Sequence, residues 1–368
     1  GAYIKSNTAK KNNWFFQYFH RTNNTPFQKQ LIELDKSDNF SFTSELFQNN
    51  HHKFRFNATY RALYIKNNNT TTNPDKTLLG RAEYLFNEWH GFITGSMLYE
   101  LGAGQEQQRD FSYVEVPAGK GEYTWIDYNN DGLPQLNEFE IAIFPDQAKY
   151  IRIYTPTNKF VKAGYVQFNY TLNITPIAIA SKISNKNFKN FITRFSLQSA
   201  LQTSKKNIAN GNPLFNPFKD KIADSALINM QQFASNTISF NRFSSKWGID
   251  LSNLQNTSKA LLTYGFESRK NNEWIIRTRV NFKKQYTLEL TNKIGSVQLF
   301  TPLFLNRNYN IKTLSVEPKI SYTYFTKYRL QLSYLYMQKE NAIMYGGEKS
   351  ISNSIIAEGK MNVVNNTS

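Results

Sequence analysis

The sequence has no cysteine among its 368 residues, which excludes disulfides and thiolate metal sites. It also has no apolar run near the roughly 18–20 residues that a membrane helix needs, which excludes a helical membrane protein. Its opening, Gly1-Ala2-Tyr3-Ile4-Lys5, lacks both the charged n-region and the apolar h-region of a secretory signal, so a processed chain or a piece of something larger is expected. Acidic groups are scarce: 27 Asp and Glu face 44 Lys and Arg, for a net charge of +17. The basic residues are scattered, with no basic block and no RNP-type motif, so nucleic acid is not an expected partner. A G-x-S-x-G elbow is missing, His20 and His90 fall at expected strand ends and His51-His52 in an expected turn, so no enzyme is expected.

What is abundant is aromatic. Rings make up 15% of the residues, with 22 Tyr and 29 Phe, on a chain whose mean hydropathy is only −0.56. A transmembrane β-barrel combines these properties, because one face of each strand meets lipid and the other meets water. The alternation agrees. Phe54, Phe56, Ala58, Tyr60, Ala62 and Tyr64 fall on one side of a strand, with Arg55, Asn57, Thr59 and Arg61 on the other. Tyr328, Leu330, Leu332, Tyr334 and Tyr336 oppose Arg329, Gln331 and Ser333, while Ile276, Thr278, Val280 and Phe282 oppose Arg277, Arg279, Asn281 and Lys283. A helix, with its period of 3.6, does not segregate these sets. Arg55, Arg61, Arg277, Arg279 and Arg329 are therefore expected to face the lumen.

The pattern predicts an all-β, antiparallel transmembrane barrel of about fifteen strands. They fall at 13–22, 26–35, 39–49, 52–66, 77–89, 91–105, 159–175, 187–204, 235–254, 258–268, 272–283, 286–300, 310–325, 327–340 and 350–364. Tight turns are expected at 23–25, 50–51, 89–91, 283–285 and 326–327, and brief connections at 36–38 and 269–271. Long connections at 67–76, 106–158, 205–234, 301–309 and 341–349 are assigned to the outer side, because such barrels carry short periplasmic turns and longer extracellular loops. The first strand, 13–22, would then run inward from outside. The count is odd, and residues 361–368 lack a terminal aromatic, so at least one further strand and a natural barrel of 16 or more are expected.

One motif is sharp. Residues 127–138 read Asp-Tyr-Asn-Asn-Asp-Gly-Leu-Pro-Gln-Leu-Asn-Glu, a full match to D-x-[DN]-x-[DN]-G-x5-E. Ca²⁺ takes six to eight oxygens, and this spacing supplies them. Asp127, Asn129 and Asp131 give side-chain oxygens, Leu133 its backbone carbonyl, Gln135 a contact through water, and Glu138 the closing carboxylate. Gly132 permits the sharp turn. Tyr123-Thr124-Trp125-Ile126 looks extended and Pro134 disfavours helix, so a lone calcium loop inside an extracellular insertion, 106–158, is expected instead of a paired EF-hand. Asp146 is expected to pair at the surface with Arg152. The rings at 213–218 are expected either to meet a partner or to fold into the lumen, and Asp224–Met230 reads as a short helix.

The stretch from Gly121-Glu122-Tyr123-Thr124-Trp125-Ile126-Asp127, through Asn137-Glu138-Phe139-Glu140, to Tyr150–Asn158 resembles large, mostly uncharacterised Bacteroidota outer-membrane β-barrel proteins. The type 9 secretion translocon barrel is a more distant comparison. The resemblance covers about a tenth of the chain and implies a cell-surface barrel in the bacterial outer membrane, with its loops extracellular. Two roles are open: transport or protein export within an envelope complex, or a surface scaffold whose large loops recruit partners or glycans. Outer-membrane lipid and lipopolysaccharide are the expected surroundings, with envelope proteins as possible partners.

Overall fold

The computed structural model describes residues 1–7, 10–27, 29–65, 75–208, 214–218, 227–262, 265–283, 285–325 and 327–361. For residues 27, 105, 107–109 and 155–160 it describes the backbone only. Among the described residues strand predominates and helix is almost absent. In order come β1 (Ala2–Lys5), β2 (Asn13–Phe27), β3 (Gln30–Leu46), β4 (His52–Ile65), β5 (Asp75–Glu88) and β6 (Ile93–Glu115). A small hairpin follows, β7 (Tyr123–Trp125) and β8 (Phe139–Ile141). Then come β9 (Tyr150–Ile174), a seven-residue helix α1 (Lys186–Ile192), β10 (Phe195–Ile208), β11 (Leu227–Phe240), β12 (Trp247–Leu262) and β13 (Gly265–Phe282). The last four are β14 (Tyr286–Phe300), β15 (Tyr309–Tyr324), β16 (Tyr328–Asn341) and β17 (Lys349–Met361).

Each long strand pairs antiparallel with its neighbour in sequence, and β6 pairs with β9 across the insertion. The result is one antiparallel sheet of fifteen strands, with β7 and β8 appended at the start of β9. β1 and β17 are its edges, each hydrogen-bonded on one side only among the described residues.

The register carries the period-two pattern across the sheet. Trp274 pairs with Ile294, Val280 with Leu288, Tyr286 with Tyr322 and Ile320 with Leu332, so one face is continuously apolar. That face is not covered: Trp274 is 50%, Ile294 63% and Leu330 54% exposed. On β16 it runs from Tyr328 to Tyr336 before Gln338 and Glu340 take over, and on β15 it runs from Tyr322 to Leu314 before Lys312. Nine residues rise about 27 Å along a strand. At a barrel tilt of about 40° this is roughly 20 Å, near the ~25 Å apolar band of membrane barrels. Rings gather at the lower margin of the band: Phe195–Phe240, Phe240–Trp247 and Tyr286–Tyr322 lie 4.8, 5.6 and 4.9 Å apart.

The opposite face is polar and concave. Same-side residues of β13 to β16, among them Glu273, Lys293, Glu317 and Lys339, line one cavity of about 320 Å³. Arg61, Asp75, Gly104 and Lys162, from β4, β5, β6 and β9, line another of about 220 Å³. Curling also brings distant strands together, so that the Tyr154 hydroxyl on β9 donates to the Leu262 carbonyl at the end of β12 (2.8 Å).

The five long connections foreseen in the sequence leave the same end of the sheet, although the strands reach further into them than expected. Thus 106–115 and 150–158 are strand, and the insertion proper is 116–149. Several expectations are corrected. Asn23, Asn24 and Thr25 do not form a turn; β2 passes through them with a bulge at Asn23/Asn24 and turns only at Lys29 (φ 65°). Residues 36–38 and 269–271 are strand interior, because Lys36, Ser37 and Asp38 pair with β2 and Arg269 to Asn271 pair with β12 and β14. Strand 13–22 therefore runs toward the long-connection end, not away from it. Segment 235–254 is two strands, broken where Asn241 takes φ 59°, a left-handed conformation that Asn tolerates. The first third of 187–204 is α1, capped by the Asn185 side chain accepting from the Phe188 amide (3.1 Å). Residues 227–230 are strand, not helix, while 224–226 and 362–368 lie outside the described residues.

Gly95 on β6 makes a test of this packing. A Cβ there would stand 2.4 Å from the Thr171 carbonyl oxygen and 2.5 Å from the Phe86 ring. Gly95→Ala is expected to lower the unfolding free energy by about 1–3 kcal/mol in denaturant titration. Gly104→Ala, on the same strand with nothing within 4 Å, is expected to leave it unchanged.

Candidate functional site

The insertion stands on the β6/β9 hairpin, whose strands continue past the apolar band to Glu115 and Tyr150. Its base is aromatic. Tyr113 stacks on Phe139 at 3.9 Å and meets Tyr123 at 5.0 Å, and Phe139 meets Tyr150 at 5.0 Å. Gly121 lets the chain pass close beneath, since a Cβ there would lie 2.6 Å from the Tyr150 nitrogen. Arg152 lies over the Phe111 ring, 4.8 Å from its centroid, instead of pairing with Asp146 as the sequence suggested. The insertion also reaches the connection between β14 and β15, where Tyr123 meets Phe304 edge-on at 5.9 Å and Arg307 pairs with Glu122. Tyr123 and Phe304 are both buried there, and burial raises the Tyr123 hydroxyl above its ordinary range.

The twelve residues 127–138 form the loop of the β7–β8 hairpin, closed by the Ile126 amide donating to the Glu138 carbonyl (2.8 Å). Short polar side chains fold the loop on itself, as Asp and Asn do when they accept from amides a few residues on. The Asp127 carboxylate accepts from the Asp131 (3.2 Å) and Gly132 (2.9 Å) amides, and the Asp131 carboxylate accepts from the Leu133 amide (2.7 Å). Asn130 and Gly132 take positive φ, 55° and 71°. Oxygens of Asp127, Asp131 and Glu138 come to lie within 4.8 Å of one another. Glu138 is only 1% exposed, and its Oε2 accepts from Trp125 Nε1 (3.0 Å) and the Gln135 amide (3.1 Å). No Lys, Arg or His pairs with these carboxylates among the described residues.

The remaining candidate ligands are nearby. Asn129 Oδ1 accepts from the Asp131 amide, while the Asn129 and Gln135 side-chain nitrogens donate to Asp131 Oδ2 at 2.9 and 2.6 Å. A cation here would require the Gln135 amide to turn its oxygen inward. The Leu133 side chain points to solvent. The donor set is entirely oxygen, which suits a hard divalent cation. The Asp131 carboxyl is held below its ordinary range, chiefly by the Leu133 amide and then by Asn129 and Gln135, against an opposing desolvation.

The five arginines stand on the concave face. Arg55 pairs with Glu45 at 3.4 Å. Arg61 lines a cavity with Asp75 and Lys162, and its Nε is buried without a partner. Arg277 and Arg279 line a cavity with Arg242, Asp250 and Glu289, and Arg279 Nη2 donates to the Ser244 carbonyl (3.0 Å). Arg329 sits beside Gln331 and Glu358.

Sequence reading did not find a polar row on the outer face. His20 Nδ1 meets Asp38 Oδ1 at 2.9 Å, His20 Nε2 meets Thr22 Oγ1 at 3.1 Å, and Tyr18 donates to the same Asp38 oxygen at 2.9 Å. The expected breaks at 23–25 and 36–38 hid it, since only continuous β2 and β3 put His20 opposite Asp38. The row lines none of the inner-face cavities. His52 is held by the Tyr84 hydroxyl and Glu88, and His51 by the Asn87 carbonyl. Residues 215 and 218 lie outside the concave face, and both rings are more than half exposed. Tyr99 donates to the Phe215 carbonyl (2.6 Å) and Phe218 packs edge-on against Phe168 (5.4 Å), both on the outer face.

Two outcomes follow. Glu138→Ala strands the Trp125 and Gln135 donors and is expected to cost about 1–3 kcal/mol, read as faster proteolysis of the insertion while the strands stay protected. Asp131 has a depressed folded-state pKa, so its stabilisation is complete above its unfolded value of about 3.9 and disappears as pH falls through the lower folded value. Protease resistance of residues 116–149 is expected to hold from neutral to about pH 4 and then decline, and Asp131→Asn is expected to flatten that acid limb.

No family model matches the chain, and no curated protein matches it. Solved structures do match. One is the crystal structure of the ferripyoverdine receptor of the outer membrane of Pseudomonas aeruginosa bound to ferripyoverdine, at 8% identity and a TM-score of 0.29. The match covers 96% of this chain and 56% of the receptor, so the chain spans little more than half that receptor's length.

Proposed function

We propose that the chain is an outer-membrane β-barrel that forms a conduit for transport or protein export within an envelope complex, with the long connections on the cell surface. The uncovered apolar face carries this reading. A water-soluble sheet of this size buries its apolar face against a second layer; here the rings and aliphatic side chains of β13 to β17 face outward, and the charged side chains line the hollow. The Bacteroidota resemblance fits the same reading, as does a setting of outer-membrane lipid and lipopolysaccharide. Both edge strands, β1 and β17, run away from the long-connection end. Barrels of roughly 16–18 strands enclose an aqueous channel. In planar bilayers the protein is expected to conduct ions, with selectivity shifting toward cations in Arg277→Gln/Arg279→Gln. A sealed, non-conducting protein would sink the conduit reading.

In this reading the 127–138 loop binds Ca²⁺ and holds the insertion rigid. Three carboxylates within 4.8 Å, without a basic partner among the described residues, support it. Calorimetry is expected to show one site with a dissociation constant on the order of 10⁻⁴–10⁻³ M, the range of extracellular modules, abolished by Asp127→Ala or Glu138→Ala. Unchanged heats in both variants would rule the site out.

A second reading, a surface scaffold that recruits proteins or glycans, is favoured by apolar side chains at the long-connection end. Ile143 is 84%, Ile343 91% and Met344 79% exposed. It predicts a stable co-purifying partner, lost in Ile143→Ser/Phe144→Ser, together with no conductance.

A further inference from the structure

The two ends of the sheet differ sharply in charge. Seven connections emerge opposite the insertion: 6–12, 47–51, 89–92, 175–194, 241–246, 283–285 and 325–327. None contains an Asp or Glu. The connection 175–194 alone carries Lys182, Lys186, Lys189 and Arg194. At the other end, residues 116–149 hold six Asp and Glu against two Lys. Lumen chemistry does not explain the contrast, since these four cations stand outside the described cavities and belong to a single rim segment.

That segment also carries exposed rings in the same place. Phe188 and Phe191, three apart on α1, share one helix face and are 55% and 56% exposed. Phe191 packs on Phe195 at 5.1 Å, and Phe195 packs on Phe240, so α1 continues directly from the lowest rung of the outer apolar band. Neighbouring connections are tied to it: the Thr175 amide donates to the Phe92 carbonyl and the Asn241 amide to the Arg194 carbonyl, both at 2.8 Å. They add Trp89 and Phe243, both more than half exposed, and Lys246. Rings beside cations, in connections without Asp or Glu at the edge of a hydrocarbon-facing band, match the chemistry of an interface with negatively charged lipid.

We propose that the short-turn end, centred on residues 175–194, docks onto the anionic phospholipid headgroups of the adjoining leaflet. Lys182, Lys186, Lys189 and Arg194 engage the phosphates, while Phe188 and Phe191 enter the acyl boundary. The proposal rests on the membrane reading above and deepens it by naming the lipid class and the end of the barrel that binds it. It assigns the positive charge of this end to the lipid surface, not to the transported solute.

The test is to fold the full-length protein that carries this chain into phosphatidylcholine vesicles with and without phosphatidylglycerol and to titrate with urea. Phosphatidylglycerol is expected to raise the unfolding midpoint, and salt to remove the gain as it screens exposed charge. The K182Q/K186Q/K189Q/R194Q variant is expected to fold in phosphatidylcholine and to show no gain, whereas K182R/K186R/K189R keeps it. Equal midpoints in the two lipids, or a gain retained by the Gln variant, overturns the proposal while leaving the barrel intact. A full-length protein that acquires no protease-resistant, heat-modifiable form in either vesicle overturns the membrane reading, and this proposal with it.

Discussion

The governing constraint is that each long strand satisfies its peptide groups on its sequence neighbours, leaving both side-chain faces free to take opposite solvents. Where lipid replaces water, backbone donors and acceptors have no other partners, and only helices or closed sheets of strands cross. In this chain the consequence is visible in the burial pattern. Among the described residues there is no packed hydrophobic layer behind the sheet; fully buried apolar residues are few, and most lie beneath the insertion or along β6 and β9. The apolar face instead ends in solvent-exposed rings and aliphatic chains. Its limits are marked by changes of residue type along single strands, as where Leu314 gives way to Lys312 and Tyr336 to Gln338.

The same ladder that organises the wall also builds the insertion. β6 and β9 continue pairing beyond the apolar band, at 23 and 25 residues, and carry the β7–β8 hairpin away from the band on a rigid stem. At the end of that stem Trp125 ties the hairpin to Glu138, so a carboxylate of the loop is fixed by the strand beneath it. Through Tyr123, Phe304 and the Glu122–Arg307 pair, the insertion also leans on the β14–β15 connection. Anything that stiffens residues 127–138 therefore acts on a contact spanning the mouth of the concave face. A cation held by the loop, as proposed, would be linked to the geometry of that mouth, because ordering the loop and ordering the contact share the same conformational entropy.

The polar face follows a different logic from the outer one. Its arginines are not arranged in a single ring. Arg55 is neutralised by Glu45, Arg61 shares a cavity with Asp75, and Arg277 and Arg279 share theirs with Asp250 and Glu289. Cations and carboxylates are interleaved along the inner wall, which keeps an aqueous surface highly charged without one dominant sign. The strong sign asymmetry lies at the rims instead, where the connections, free of the alternation rule, carry it.

By itself the sequence determined the strand chemistry. Period-two alternation over long runs, as in 328–336 and 276–283, assigns the apolar and polar faces on its own, because a strand offers no other way to sort those side chains. It also picked out 127–138, since Asx turns and a Gly at the tight position are local chemistry. It did not reveal where strands stop. Asn23-Asn24-Thr25 carries turn residues yet lies inside β2, and Asn241 breaks a stretch that alternates well, because those outcomes depend on which neighbour is available for pairing. Only the tertiary structure set His20 against Asp38, laid 214–218 on the outer wall and brought residues 122–123 to residues 304–307. Each of these joins segments far apart in the chain, and such contacts are decided by register and curl, which no local pattern of residues encodes.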